Sequence, residues 1–215
     1  MVKKIKEKKY LKKSLEFVIK LSLIIAIIES SLSKDWIVLF VTSLTFILIL
    51  TPKLFEKKYK IDIPEELEII AVIFIYCAIF LGEVHGYYTR FWWWDTILHT
   101  VSGIVLGLIG FIILFILYQG EKVRAKPFLI VLFSFCFALA LGSIWEIFEF
   151  AMDSLFGLNM QKSGLLDTMG DLIANSIGAL IISIFGFFYL KNKKSFFLKN
   201  IIIKFKKENS KLFKK

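Results

Sequence analysis

The sequence of 215 residues has only two cysteines and two histidines, and several familiar catalytic motifs are missing from it. Cys77 and Cys136 both lie in the middle of apolar runs, so we expect small apolar fillers and no disulfide framework. The motifs H-E-x-x-H and G-x-S-x-G and a glycine-rich phosphate loop do not occur. The sequence therefore gives no support to a serine hydrolase, and its histidine content is thin for zinc.

What the chain does have is apolar sequence. Hydrophobic residues make up 57% of it, including 23 Phe, and the mean hydropathy is +0.71. Soluble domains are nearer to about 45–50% apolar, and a run of about 20 apolar residues crosses a bilayer. The sequence predicts an all-α polytopic integral membrane protein with six transmembrane helices, at about 15–33, 36–51, 67–81, 95–118, 128–150 and 167–190.

The basic residues predict how these helices are oriented. The formal net charge is +10, and 24 of the 28 Lys and Arg residues fall in the two ends of the chain and in two loops that share one side. Such asymmetry marks the cytoplasmic side of membrane proteins, so both termini are expected there and nucleic-acid binding is not. The predicted organisation is a basic N-terminus at 1–14, a membrane domain at 15–190 with its polar half at 95–190, and a basic amphipathic tail at 191–215 on the inner surface.

The sixth predicted span begins with a polar stripe. Asp167, Asp171 and Asn175 are spaced four residues apart, so they lie on one face of a helix. Two acids and an amide entering a membrane need partners, because an uncompensated charge in lipid is expensive.

Other spans supply polar residues near the same outer end. Asp95 and His99 are one turn apart at the start of the fourth span, and Glu146 and Glu149 share a face near the end of the fifth. The end of the third span adds Glu83 and His85. At about 1.5 Å of rise per residue, all these groups are expected in a slab roughly 10–15 Å deep. We therefore expect one polar pocket in the outer half of the membrane.

This pocket admits more than one chemistry. Acids pressed together in a low dielectric need shared protons or a cation. The candidate ligands of a divalent metal are Asp95, His99, Glu146, Glu149, Asp167 and Asp171, and the candidate acid–base residues are His99, Glu146, Glu149 and Asp171. Asn175, Glu83 and His85 are candidates for substrate binding or for a hydrogen-bond network. A purely structural network that joins the helices, and a transport site, are the alternatives.

Three strings in the second half of the chain resemble known families. D-T-I-L-H-T-V-S-G at 95–103, W-E-I-F-E at 145–149 and D-T-M-G-D-L-I-A-N-S-I-G-A at 167–179 resemble the YjdF-type membrane proteins of unknown function. Their order is also similar to the motif pattern of the VanZ-like family, which is associated with an envelope role in glycopeptide resistance. The resemblance covers about 95–190 and implies a fold and a polar constellation.

The leading functional hypothesis is an outward-facing His/carboxylate pocket in the plasma membrane that acts on a lipid-linked or cell-envelope substrate. In it, His99 and a carboxylate transfer a proton, and Asp167 and Asp171 hold a cation or orient the base. An ion-coupled permease and a non-catalytic membrane scaffold are the competing hypotheses. A permease would favour inverted repeats, which the two halves of the sequence do not show.

Overall fold

The computed structural model of the chain describes residues 2–192 and 196–213, and every regular element in these two ranges is helical. The chain divides into two units, Met1–Trp92 and Trp93–Lys215. The first unit contains α1 (Val2–Ser33), α2 (Trp36–Leu48), α3 (Thr51–Tyr59), α4 (Glu65–Ile75), a π-helix (Tyr76–Val84) and α5 (Tyr87–Arg90). The second contains α6 (Trp94–Gln119), α7 (Pro127–Phe156), α8 (Leu165–Asn192), α9 (Phe196–Glu208) and a 3₁₀ turn (Ser210–Phe213).

Within the described ranges, five helical segments are long and apolar enough to cross a membrane. They are Trp36–Tyr59, Glu65–Val84, Trp94–Gln119, Pro127–Phe156 and Leu165–Asn192. The all-α, multi-pass architecture expected from composition is therefore present. The first predicted span, 15–33, lies within α1 and is not among the five, because its apolar stretch also contains Glu16, Lys20 and Glu29.

Two helix ends differ from the predicted boundaries. The second span was expected to stop at Pro52, but helical structure continues through α3 to Tyr59. Pro52 stands in the first turn of α3, where a backbone N–H has no intrahelical partner and proline is tolerated. The fifth span runs beyond Phe150 to Phe156, and Gly157 ends it in the left-handed conformation that favours glycine.

The first unit is held together by an apolar core and an ion-pair network. Ile19, Leu23, Ile49, Val72 and Phe80 are buried against one another. The network consists of two acids and three lysines, Glu16, Glu68, Lys12, Lys20 and Lys53. Charged side chains therefore enter this unit together with partners of opposite sign.

The second unit is built on a close crossing of α6 and α8. Gly103 faces the backbone carbonyl of Asn175, and Gly178 faces the carbonyl of Thr100, so a Cβ atom at either glycine would overlap the other helix. Small residues at such a point let helix backbones approach closely in a membrane. α7 joins the pair through the Ser134 hydroxyl, which donates to the Gly107 carbonyl at 2.5 Å. This packing brings the start of α6, the end of α7 and the start of α8 together.

The basic tail forms α9, whose apolar face is covered by protein. Leu198, Ile201, Ile202 and Phe205 are buried, while the lysines at 199, 206 and 207 are exposed. Phe213, which follows in the 3₁₀ turn, contacts the rings of Phe115 and Phe205. The apolar stripe of α9 is therefore covered by other helices of the second unit, and the position of the tail on the membrane surface stays a prediction.

Candidate functional site

His99 is the centre of the polar cluster in the second unit. It lies one turn after Asp95 in α6, so the two side chains share a helix face. The distance from His99 Nε2 to Asp95 Oδ1 is 3.4 Å, and the imidazole is largely buried. The i, i+4 pair predicted from the sequence is therefore in contact.

α8 brings a second carboxylate to the same ring nitrogen. Asp171 Oδ2 lies 3.9 Å from His99 Nε2. Ligand atoms of Asp95, His99 and Asp171 all lie within 4.8 Å of one another. Asp171 is only 4% exposed, and its Oδ2 accepts no hydrogen bond within the described part of the chain. Three groups of the kind that bind divalent cations thus converge from two helices.

α7 places a third carboxylate on the opposite side of the imidazole. Glu146 Oε1 lies 3.7 Å from His99 Nδ1. The side chain is 4% exposed, and among residues 2–192 and 196–213 neither of its oxygens has a hydrogen-bond donor. Burying a charged carboxylate without hydrogen-bond donors costs free energy, so a bound proton or a nearby cation would stabilise Glu146 in this position.

The remaining predicted residues of the second unit take other places. Glu149 is half-buried and accepts a hydrogen bond from Trp145 Nε1 at 3.0 Å. Asp167 is half-buried within electrostatic range of Asp95. Asn175 is fully buried, and it donates to the carbonyl of Ala138 in α7 at 3.2 Å. Glu149 and Asp167 thus flank the cluster, whereas Asn175 joins helices beneath it.

Glu83 and His85 belong to the first unit. Glu83 is in the π-helix that ends at Val84, and His85 follows it with its ring edge-on to Phe80 at 4.8 Å between centroids. Their participation in a pocket with His99 stays a prediction. The carboxylates in contact with His99 come from α6, α7 and α8.

Lys162 is a neighbour of the cluster that the sequence pattern did not single out. Its Nζ lies 4.0 Å from Asp95 Oδ2. The loop before α8 holds it there, because the Asp153 carboxylate accepts from the backbone N–H groups of Met160 and Gln161 at 2.7 and 2.8 Å. A loop that bends back on the helix before it has no periodicity in its sequence. The contact of Lys162 with Asp95 could therefore not be predicted from residue spacing.

Comparisons with known proteins agree with this picture of an integral membrane protein. No solved structure matches the chain. An uncharacterised protein of Thermotoga maritima is 29% identical over 132 residues, and the match covers 60% of this chain and 65% of that protein. The model of the family described as "Predicted membrane protein (DUF2238)" matches residues 12–192. The similarity to the VanZ-like pattern stays a resemblance. The family match includes all six predicted spans and the whole cluster around His99. The chain is therefore a multi-pass membrane protein that belongs to the DUF2238 family.

Proposed function

We propose that the second unit binds a divalent cation between Asp95, His99 and Asp171 and that this centre acts on a lipid-linked or cell-envelope substrate. The observation that carries the proposal is the convergence of three ligand atoms within 4.8 Å. Asp171 adds to it a buried oxygen that accepts no hydrogen bond in the described ranges. Both findings are explained if a cation supplies the missing positive charge.

The number of protein ligands favours a catalytic metal site over a structural one. Structural metal sites are usually closed by four protein ligands, whereas catalytic sites keep a position for water or substrate. Three side chains from two helices leave such a position open. Carboxylates with one imidazole suit cations of the manganese, iron and zinc type. When bound, such a cation would acidify a water molecule or polarise a substrate oxygen.

The proposed topology has six spans with both termini in the cytoplasm. Five spans are the helical segments given above, and the remaining one is the first predicted span, in the apolar part of α1. Exposed apolar side chains, as expected of a lipid-facing surface, support this assignment: Phe17, Ile24, Ile25, Ile28 and Leu32. The asymmetry of Lys and Arg gives the orientation. This arrangement puts His99 and its neighbours near the outer surface, where envelope precursors and their lipid carriers are found.

Each residue then has a role that follows from its place. Asp95 and Asp171 hold the cation with His99. Glu149 and Asp167, at the margin of the cluster, are the groups available to move a proton to or from a bound substrate. Lys162 stands beside Asp95, where it can orient an anionic group of the substrate.

The scaffold hypothesis is the second candidate, and Asn175 is the observation that favours it. This amide bonds to α7 through Ala138, and its Oδ1 lies 3.5 Å from the Ser102 hydroxyl of α6. A network of this kind locks three helices together without doing chemistry. It does not explain Asp171 Oδ2 and the two Glu146 oxygens, which are buried and lack hydrogen-bond donors in the described ranges.

Metal analysis of the full-length protein tests the proposal. The purified protein is stripped with a chelator, reloaded separately with Mn²⁺, Fe²⁺, Co²⁺ or Zn²⁺, passed through a desalting column and measured by mass spectrometry. We expect about one ion per chain for at least one metal, and loss of that ion in Asp171→Asn. Glu29→Gln, which changes an exposed acid of α1, is the matched control. A wild-type protein that retains none of these ions, or a folded Asp171→Asn that retains as much as wild type, would overturn it.

A further inference from the structure

The imidazole of His99 has acids on both of its ring nitrogens. Asp95 and Asp171 approach Nε2 at 3.4 and 3.9 Å, whereas Glu146 approaches Nδ1 at 3.7 Å. The two nitrogens of an imidazole point to different sides of the ring, so one ion binds at only one of them. The acids around His99 therefore cannot all be ligands of the same cation through this ring.

We propose that Glu146 is not a metal ligand but a positioning residue, which accepts the Nδ1–H of His99 and so directs Nε2 toward Asp95 and Asp171. This inference rests on the proposed function, because it names the nitrogen that faces the cation. A histidine that binds a metal usually donates its other N–H to a carboxylate, a carbonyl or water, and this bond fixes the tautomer and the orientation of the ring.

The surroundings of Glu146 fit this role. Both carboxylate oxygens are buried and have no hydrogen-bond donor in the described ranges, so the side chain is available to accept from Nδ1. The distance of 3.7 Å is longer than a hydrogen bond. Bonds of this type are often long before ligand binding and shorten when the site is occupied.

Glu149 is the natural comparison for Glu146. It is the same residue type three positions later on α7, but its carboxylate is engaged within its own helix, where it accepts from Trp145 Nε1 at 3.0 Å. A change at Glu149 alters the charge near the cluster by the same amount. It leaves the acceptor for Nδ1 in place, so the pair of variants separates positioning from simple electrostatics.

Nitrogen NMR of the two histidines tests the contact without requiring a metal. The full-length protein is labelled with ¹⁵N only in histidine, and His85→Ala assigns the signals. We expect Nδ1 of His99 to carry a proton in the wild-type protein, whether or not Nε2 is protonated as well. In Glu146→Met, the acceptor is lost and the Nδ1 signal of His99 should change, whereas Glu149→Gln should leave it in place. Identical His99 signals in wild type and Glu146→Met would overturn the proposal, whether or not a metal is bound.

Metal affinity provides the second readout. With Co²⁺ as the probe, Glu146→Met should weaken binding by about 10- to 100-fold, the usual effect of losing a partner of a ligating histidine. Glu146→Gln retains an oxygen that can accept from Nδ1–H and should restore most of that loss. The visible spectrum of bound Co²⁺ should keep its shape in both variants, because the ligands are unchanged. A changed spectrum in Glu146→Gln would identify Glu146 as a direct ligand and contradict the inference.

These results distinguish failure of the inference from failure of the proposed function. If wild type binds no metal but the NMR signals respond to Glu146→Met as expected, Glu146 positions His99 and the metal hypothesis is wrong. If wild type binds metal but neither the NMR signals nor the affinity responds to Glu146→Met, the metal hypothesis stands and the positioning role is wrong. A loss of thermal stability with no change in either readout would indicate packing alone and would also contradict the positioning role.

Discussion

Both units of this protein bury acidic side chains, but among the described residues only the first unit surrounds them with lysines. Glu68 is 4% exposed and pairs with Lys12, and its Oε1 lies 3.5 Å from Lys53. Glu16 is bonded to the same Lys53 at 2.7 Å, with Lys20 at 3.5 Å. Each carboxylate of this network has a lysine within 4 Å, so its charge is compensated, although Glu68 Oε1 accepts no hydrogen bond in the described ranges.

The acids of the second unit share a single imidazole instead. Asp95, Glu146 and Asp171 all lie within 4 Å of His99, and Lys162 adds a partly exposed cation beside Asp95. One histidine and one partly exposed lysine do not neutralise three carboxylates in a low dielectric, so within the described ranges this cluster is short of positive charge unless protons or a cation are bound. Burial of acids alone therefore does not indicate a functional site, whereas burial of acids without matching cations among the described residues supports the proposed one.

The largest expected loss of stability comes from a substitution in the first unit. Glu68→Gln should lower the free energy of unfolding by about 3–5 kcal/mol, because it leaves the largely buried Lys12 with only Glu16, at 3.9 Å, as an ion-pair partner. Denaturation of the purified protein, followed by circular dichroism, measures the change. Glu65→Gln, in the exposed first turn of the same helix, is the matched control and should cost less than about 1 kcal/mol. Equal effects of the two substitutions would mean that the network does not carry this stability.

The second unit should respond to cations where the first does not. A divalent ion at about 100 times its Kd should stabilise the folded protein by about 2.7 kcal/mol, since it binds the folded state alone. The measurement is the thermal unfolding midpoint with chelator and with each ion. Asp171→Asn should abolish this gain, and Glu68→Gln should retain it on a lower baseline. A gain that survives Asp171→Asn would place the responsible ion elsewhere.

Without any metal, Asp171→Asn should change the free energy of unfolding in the opposite direction to Glu68→Gln, by raising it. The change removes a buried charge whose Oδ2 has no hydrogen-bond donor in the described ranges, so in chelator we expect about 1–2 kcal/mol of stabilisation. Unfolding in chelator, compared with wild type under the same conditions, checks the sign. If Asp171→Asn is destabilising by as much as Glu68→Gln, the two clusters are alike and the contrast between the units is wrong.

Part of this site could be predicted from the sequence because helix periodicity fixes it. Asp95 and His99 are one turn apart, so their contact follows once α6 is assigned. The family resemblance and the multi-pass architecture followed from local strings and apolar runs in the same way. Each of these features depends on residues close together along the chain.

The rest depends on how the helices are rotated against one another. Glu146 and Glu149 share a face in the sequence, yet the crossing of α7 brings Glu146 to a ring nitrogen of His99 and leaves Glu149 bonded to Trp145. Gly170 and Gly178 likewise have the same spacing from Ala174. A Cβ atom at Gly178 would overlap α6, whereas a Cβ atom at Gly170 would meet no described atom within 4 Å. Periodicity gives a face of a helix, and tertiary packing decides which part of that face is used.

Lys162→Met should have the smallest effect, and it tests how isolated the acids of the second unit are. Its ammonium lies 4.0 Å from Asp95 and is partly exposed, so loss of the pair should change stability by about 0.2–1 kcal/mol at most. Because this cation competes with a metal for the charge of Asp95, its removal should tighten Co²⁺ binding by up to about fivefold. Titration of Co²⁺ into wild type and Lys162→Met measures the change, with Lys34→Met, in the turn after α1, as the control. Weaker binding in Lys162→Met would show that the lysine supports the site rather than competes with the ion, and the second unit would then carry part of its own charge compensation, as the first unit does.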